Sequence, residues 1–425
     1  MSKKTVLIIG SMGRDHALGW KLKQSPKVGK IYFAPGNAGT EYIGINTGLE
    51  VLDTDSLVKF ALKHKIDLAV SGQDDALAQG LVDAFQKKGL VIFGPTKKAS
   101  QIEWSKAFAK QLMIDEKIPT AAYKTFTDAT DAKKYLKKQK FPIVIKASGL
   151  ALGKGVTIVK SLDEALRKVD EIMIKKTFGD AGSEIVIEEF LKGVEISIHV
   201  FTDGETISLF PSARDHKPIF DGNKGPNTGG MGTIAPVAGI TQKDMELIKK
   251  TIVLPALSGL KKRGMPFAGC LYPGLMITKN GPKVIEFNSR FGDPELESYM
   301  RLLKTDLYDI LLACASGTLA KINIKWEKQF ACCIVLASSG YPKGSHKGDV
   351  IYGLTSTALQ KNIQVFHFAT KRVNGKIVTN GGRVLGVTAV GKTLNRALKS
   401  AYSAIGDKGI HFANMQYRLD IGKIL

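Results

Sequence analysis

The sequence predicts a multidomain protein of mixed class, α/β and then α+β. An N-terminal doubly wound parallel sheet is followed by a central unit with a glycine-rich flap and a small C-terminal α+β unit. Three observations carry this expectation. Over about residues 1–103 short apolar strands alternate with helical stretches, the pattern of a parallel sheet. From there to about residue 327 strands come in pairs around glycine-rich turns. Beyond 328 strands dominate, with one late helix. The 425 residues allow two to four domains, without an internal repeat or a low-complexity linker.

The chain opens as strand, turn and helix in "KTVLIIG", "SMGRDH" and "ALGWKLKQS". Strands at "KIYFAP", "DLAVSG" and "GLVIFGP" follow, separated by helices such as "DSLVKFALKHK" and "DALAQGLVDAFQKKG". Gly10 and Gly13 occupy the first turn, but Met12 and Asp15 take the other places of a GxGxxG fingerprint, which disfavours a nicotinamide dehydrogenase. The turn can still hold a phosphate on free N–H groups at the helix start, or simply reverse the chain. "EWSKAFAKQLMIDEKI" predicts one helix with Lys106 and Lys110 on a shared face.

"FPIVIKASGLALGKGVTIVK" reads as strand, loop, strand. The loop is no Walker P-loop, because three residues separate Gly149 from Gly153, Gly155 follows Lys154, and a strand comes next. Such a tip can instead fold over phosphates, with Gly153, Lys154 and Gly155 toward the anion. A flexible surface hairpin is the alternative, weakened by Lys146 in the apolar incoming strand. "SEIVIEEFLKGVEISIHVF" carries Glu188, Glu189 and Glu195 around a connection, either to read a nucleotide or as surface glutamates. Five glycines within residues 221–232 make regular structure implausible. Disorder is one reading and a binding loop the other, favoured because Asp215, His216, Asn227 and Thr228 in and before it suit polar recognition.

Residues 267–288 predict a hairpin turning at Asn280–Gly281. On its second arm, strand alternation puts Glu286, Asn288 and Arg290 on one face and Ile285, Phe287 and Ser289 on the other. Oxygen ligands beside a guanidinium suit a hard cation next to an anion, although a solvated strand face has the same pattern. Asp293 is expected to cap a helix with Pro294 in its first turn and Leu296, Met300 and Leu303 buried. Strands at "FACCIVLAS", "VIYGL", "QVFHFATK", "KIVTN" and "RVLGVTAVG" follow, then a helix in "TLNRALKSAYSAI" and a last strand in "QYRLDIG".

Net charge is 61 − 39 = +22, which raises nucleic-acid binding as a rival function. The lysines are scattered, however, and no dense basic block forms. Cys270, Cys314, Cys332 and Cys333 lack CxxC spacing and sit among apolar neighbours, as buried thiols of a reducing cytosol would. "MSKKTVLIIG" has too few apolar residues for a signal peptide, and no run approaches the roughly 20 residues of a membrane span. The expectation is a soluble, cytoplasmic monomer acting on small molecules, with neither nucleic acid nor membrane as partner.

Two strand-borne lysines around a glycine flap, a carboxylate-rich connection and a Glu-x-Asn-x-Arg strand together resemble the ATP-grasp fold. The finer motifs resemble the phosphoribosylamine–glycine ligase family of purine biosynthesis: "PGNAGT" at 35–40, "DHK…GPNTGGMG" at 215–232, "SRFGDPE" at 289–295 and "NGGRVLGVTAVG" at 380–391. The chain departs from that pattern in "MGRDHA" at 12–17, in Gln73 and Asp74 of "SGQDDA", at Ser148 and at Glu297. The resemblance implies an N-terminal phosphoribosyl domain over 1–103, an ATP-grasp domain over 104–327 with a flap subdomain at about 123–193, and a C-terminal domain over 328–425.

The implied reaction joins glycine to 5-phosphoribosylamine with ATP, through glycyl phosphate. Another ATP-grasp carboxylate–amine ligase is the nearest alternative. By the same resemblance Glu286 and Asn288 hold Mg²⁺, or Mn²⁺, and Arg290 is the catalytic cation. Lys106 and Lys146 meet the ATP phosphates beneath Gly153, Lys154 and Gly155. Glu188, Glu189 and Leu191 face the adenine side and Glu195 the ribose. Gly10, Gly13 and Asn37 are implied at the phosphoribosyl end, and Asp215, Thr228 and Asp293 on the substrate side.

Overall fold

Val6 and Ile8 alternate with Leu7 and Ile9 along the first strand, so both of its faces are apolar and both need cover. The computed structural model, which describes residues 3–149, 155–355 and 362–423, supplies that cover. Five parallel strands lie in the order Ile45–Asn46, Val28–Pro35, Lys4–Gly10, Leu68–Ser71 and Ile92–Phe93. Val6 and Ile8 pack toward the helix Gly13–Leu22 and a large aromatic core containing Phe201, Phe291 and Tyr299. Leu7 and Ile9 pack against Leu57 and Phe85 of the opposite helical layer. The strand order reverses between Lys4–Gly10 and Leu68–Ser71, so the loops leaving those strands open a crevice at their carboxyl ends. The expected single helix after Leu68–Ser71 is two, Asp74–Gln79 and Leu81–Lys87, because Gly80 takes φ +95° between them.

The central segment holds two antiparallel sheets. Tyr123–Phe126, Ile185–Glu189, Ile143–Ala147 and Val156–Val159 form one, backed by the helices Ala129–Leu136 and Leu162–Val169. The other is built on the long strand Gly269–Thr278, which pairs with Val194–Ser197 and Val200–Thr202 on one edge and with Gly281–Asn288 on the other. The reversal of this hairpin is Lys279–Asn280 rather than Asn280–Gly281, and Gly281, at φ +99°, is already the first strand residue, paired with Thr278. The helix expected across residues 103–118 breaks at Ser105, whose hydroxyl accepts the Phe108 N–H and starts a new helix, Lys106–Asp115.

The glycine-rich stretch is more regular than expected. Pro218–Phe220 pairs with Lys224–Asn227 as a two-stranded ribbon, and Gly232–Ala235 is a sheet strand. That strand, with Arg214–Asp215, joins the C-terminal sheet, whose order is Arg214–Asp215, Gly232–Ala235, Phe330–Ala337, Arg383–Gly391 and Ile363–His367. The late helix Leu394–Ser403 covers it, capped by Thr393. Two expected strands are absent there: "VIYGL" and "QYRLDIG" make only isolated bridges, Val350 to Val378, Tyr352 to His411 and Gln416 to Ala337. All four cysteines are buried free thiols. Among the described residues no helix is long and apolar enough to cross a membrane.

Candidate active site

A cleft of ≈ 560 Å³ runs between the two central sheets. Lys146, Val156, Ile158 and Glu188 line one wall, and Tyr272, Met276, Glu286 and Asn288 the other. Arg14, Gln73 and Asp74 close one end, from the crevice of the parallel sheet.

The strand Gly281–Asn288 does not keep the expected alternation. Its register slips between Gly274 and Leu275, so Gly274 faces Glu286 while Leu275 faces Val284, and Ile285 is the extra residue of a bulge. Val284 and Phe287 therefore fill the core, and Ile285 joins Glu286 in the cleft instead of opposing it. The bulge turns the Ile285 carbonyl toward the opposite wall, where it accepts Lys146 Nζ at 2.9 Å.

Burial pushes the Glu286 carboxyl up, but Lys217, Lys146, Lys106 and Arg290 around it win and pull it down to about 2. Asn288 accepts Arg290 Nη2 on Oδ1 at 3.3 Å and donates Nδ2 to the Tyr272 carbonyl. Arg290 also meets Glu103 at 3.1 Å and donates to the Phe291 carbonyl. Burial works against its charge, yet Glu103 and Asp74 hold it above the ordinary guanidinium range. Glu103 is itself fixed by the backbone N–H and hydroxyl of Ser289, both at 2.8 Å.

On the facing wall Lys106 is the first residue of its helix, and its Nζ donates to the Gly149 carbonyl at 3.2 Å. Glu188 is buried between Lys146 at 3.0 Å and Lys110 at 3.3 Å. Glu189 also lines the cleft, at its exposed edge, where Lys283 and the Ala122 N–H both meet its Oε1. Leu191, Glu195 and Gly155 line the cleft, and Glu195 pairs with Lys217 at 2.6 Å. Gly153 and Lys154 lie outside the described residues.

Asp215, Thr228 and Asp293 also line the cleft. Asp215 accepts the His216 N–H, and burial, with Glu295 nearby, pushes its carboxyl well up. Thr228 is turned back on its own ribbon, donating to the Lys217 carbonyl at 2.7 Å. Asp293 is not a helix cap. The helix Glu295–Leu302 has Pro294 at that position, and the Asp293 carboxylate instead accepts the Arg14 N–H and pairs with Arg383 at 2.9 Å.

Asn37, expected at the phosphoribosyl end, is bound by the protein itself in this structure. It is 6% exposed, donates to the Ser11 and His367 carbonyls, and accepts the Gly39 and Thr40 N–H groups, so every polar atom of its amide is committed. Gly10 and Gly13 are likewise packed from behind, Gly10 by Asp15 and Gly13 by Glu297 and Phe368. Their neighbours Met12 and Arg14 reach the cleft. Two departures from the family pattern meet in space, since Gln73 donates to Asp15 at 2.8 Å and accepts from Arg14 at 3.1 Å.

Sequence reading missed Lys217, Glu103, Glu295, Tyr272 and Arg383. Lys217, Glu295 and Arg383 sit inside quoted motifs, which was the available signal. Glu103, a single charge in a helical stretch, carries no such signal.

Family models for the phosphoribosylglycinamide synthetase N domain, ATP-grasp (A) domain and C domain match residues 4–103, 104–296 and 331–424. The chain belongs to the phosphoribosylglycinamide synthetase family. It is thereby an ATP-grasp enzyme. It is 45% identical to the phosphoribosylamine–glycine ligase of Rhodopirellula baltica, over 95% of this chain and 94% of that protein. With the Vibrio parahaemolyticus ligase the identity is 46%, over 98% and 97%. It also matches the trifunctional purine biosynthetic protein adenosine-3 of Gallus gallus at 46% identity, spanning 42% of that longer chain. The crystal structure of phosphoribosylamine–glycine ligase from Thermotoga maritima superimposes with a TM-score of 0.84 at 33% identity, covering 98% of this chain and all of that one. The biotin carboxylase domain of the Hydrogenobacter thermophilus 2-oxoglutarate carboxylase shares the synthetase fold at 16% identity, with a TM-score of 0.76 over 98% of this chain and 92% of that one.

Proposed function

We propose that the chain joins glycine to 5-phosphoribosylamine with ATP, giving glycinamide ribonucleotide, ADP and phosphate, a step of purine biosynthesis. The observation that carries this is the meeting of Glu286, Asn288 and Arg290 on one wall with Lys106, Lys146 and Glu195 in the same cleft. Glycine's carboxylate is a poor electrophile, and phosphorylation to glycyl phosphate gives the amine a carbonyl it can attack. Phosphoryl transfer demands placement and charge neutralisation more than covalent help.

Among the described residues no cluster of three or more His, Cys, Asp or Glu side chains is ready to cage a metal. Glu286 and Asn288 offer two oxygen donors, which suits Mg²⁺, an ion that keeps waters and binds phosphates alongside few protein ligands. Mn²⁺ fits the same donors. When bound there, the ion would neutralise phosphate charge as a Lewis acid.

The chain's own residues do the rest. Lys106 and Lys146 receive the α/β-phosphates, and Lys110 keeps Glu188 neutralised when Lys146 turns to the nucleotide. Glu195 takes the ribose hydroxyls and the segment near Leu191 the adenine side. Arg290, braced by Glu103 and Asn288, presents its fork to the transferring phosphoryl group and then to the acyl oxyanion. Asp215 meets the glycine ammonium. Arg14, at the crevice of the N-terminal sheet, faces the phosphoribosyl end.

The test is ADP and phosphate release by the purified chain. Release is expected only with ATP, glycine and phosphoribosylamine together, with a new amide in the product. Equal turnover on another amino acid would favour a different carboxylate–amine ligase.

A further inference from the structure

Lys217 stands between the strand Arg214–Asp215 and the ribbon strand Pro218–Phe220. Its Nζ lies 2.6 Å from Glu195 Oε1 and 3.4 Å from Glu286 Oε1. One ammonium thus joins the carboxylate read as the ribose ligand to the carboxylate read as the metal ligand. Among the described residues neither carboxylate makes another ion pair. The main chain at Lys217 is pinned, because its carbonyl accepts both the N–H and the hydroxyl of Thr228, at 2.9 and 2.7 Å. The side chain is 26% exposed and carries its ammonium on a flexible four-carbon stem.

We propose that Lys217 is a built-in counter-ion that competes with the divalent cation for Glu286 and so couples metal binding to nucleotide binding. The proposal rests on Glu286 being the metal ligand. A carboxylate oxygen 3.4 Å from an ammonium cannot also take a divalent ion at about 2.1 Å without setting two cations against each other. Metal arriving alone meets a lysine still tethered to Glu195. Ribose hydroxyls arriving at Glu195 remove that tether and let the ammonium swing toward the incoming phosphates. Each ligand therefore loosens one of the two anchors, and the two bind with positive linkage.

Mn²⁺ titration followed by electron paramagnetic resonance, with and without a non-hydrolysable ATP analogue, tests this on the parent, Lys217→Gln, Lys217→Arg and Glu286→Gln. In the parent, nucleotide is expected to tighten Mn²⁺ binding. Lys217→Gln should raise nucleotide-free Mn²⁺ affinity about tenfold and shrink the nucleotide enhancement by the same factor. Lys217→Arg, which keeps a cation there, should retain the enhancement. If Lys217→Gln does not fold, Lys217→Met, which keeps the apolar stem, is read in the same way. Unchanged nucleotide-free affinity and unchanged enhancement in the charge-removing variant would overturn the proposal. If Glu286→Gln leaves nucleotide-supported Mn²⁺ binding intact, the metal assignment itself fails, and that outcome is distinct from the first.

Discussion

Arg290 is braced by Glu103 at 3.1 Å, by Asn288 Oδ1 at 3.3 Å and by the Phe291 carbonyl at 3.2 Å. A planar guanidinium satisfies all three and still offers an edge to the cleft, whereas a lysine ammonium offers only a point charge. Arg290→Lys is expected to lower kcat by about 100-fold or more, the usual cost of losing one charge-stabilising donor. Circular dichroism should show the fold retained, so that a parental kcat would remove Arg290 from the chemistry. At this scale the sequence was informative where a local period sets a shared face, as in Glu286, Asn288 and Arg290, which line one cleft. It was silent on partners brought from afar. Glu103 lies 186 residues from Ser289, and Asn37 lies 330 from the His367 carbonyl that occupies its amide. The Ile285 bulge was equally hidden, because one extra residue leaves no mark on composition.

The glycine-rich ribbon shows what an element contributes. Gly230 holds φ +113°, and a Cβ there would stand 2.5 Å from Pro294 Cδ and 2.6 Å from Asp215 Oδ1. Gly230→Ala is expected to cost about 1–3 kcal/mol of stability and to raise the KM for glycine more than that for ATP, since Asp215 must move. Urea denaturation and steady-state kinetics measure the two effects. A variant with parental stability and a parental KM for glycine would place the loop outside the substrate site. Glycine content pointed to an irregular loop. The ribbon forms because Pro218 pairs with Asn227 and Phe220 with Lys224 across a tight reversal where Gly222 and Asn223 take positive φ.

Across the whole molecule, buried histidines serve as hydrogen-bond acceptors. His16 Nδ1 accepts the His367 N–H, His199 Nε2 that of Gly292, and His216 Nε2 that of Gly422. Each ring must stay neutral to do so. Burial lowers His216 to about 4, below its ordinary 6.5. A lowered folded-state value means that the stabilisation is complete above pH 6.5 and is lost as pH falls through about 4. Buried carboxyls such as Asp215 and Glu297, pushed up in the fold, act in the opposite sense, so a difference between variants isolates the histidine. His216→Gln is expected to be less stable than the parent near neutrality. The gap should narrow by up to about 1.4 kcal/mol per pH unit between 6.5 and 4. Urea titrations across that range decide it, and a constant gap would refute the neutral ring.

The parallel sheet was legible in the sequence because Val6 to Ile9 are apolar on both faces. The C-terminal sheet was only half legible, since its strands Arg214–Asp215 and Gly232–Ala235 come from a stretch that reads as loop.

Arg383 reaches from that sheet to the Gly229 carbonyl at 2.8 Å and to Asp293, 90 residues earlier, at 2.7 Å. A ribosome adding about 5–20 residues per second therefore needs on the order of 5–20 s after Asp293 before it delivers the clasp. Until then the contacts of Arg383 with Gly229 and Asp293 cannot form. Activity should begin only near the end of translation.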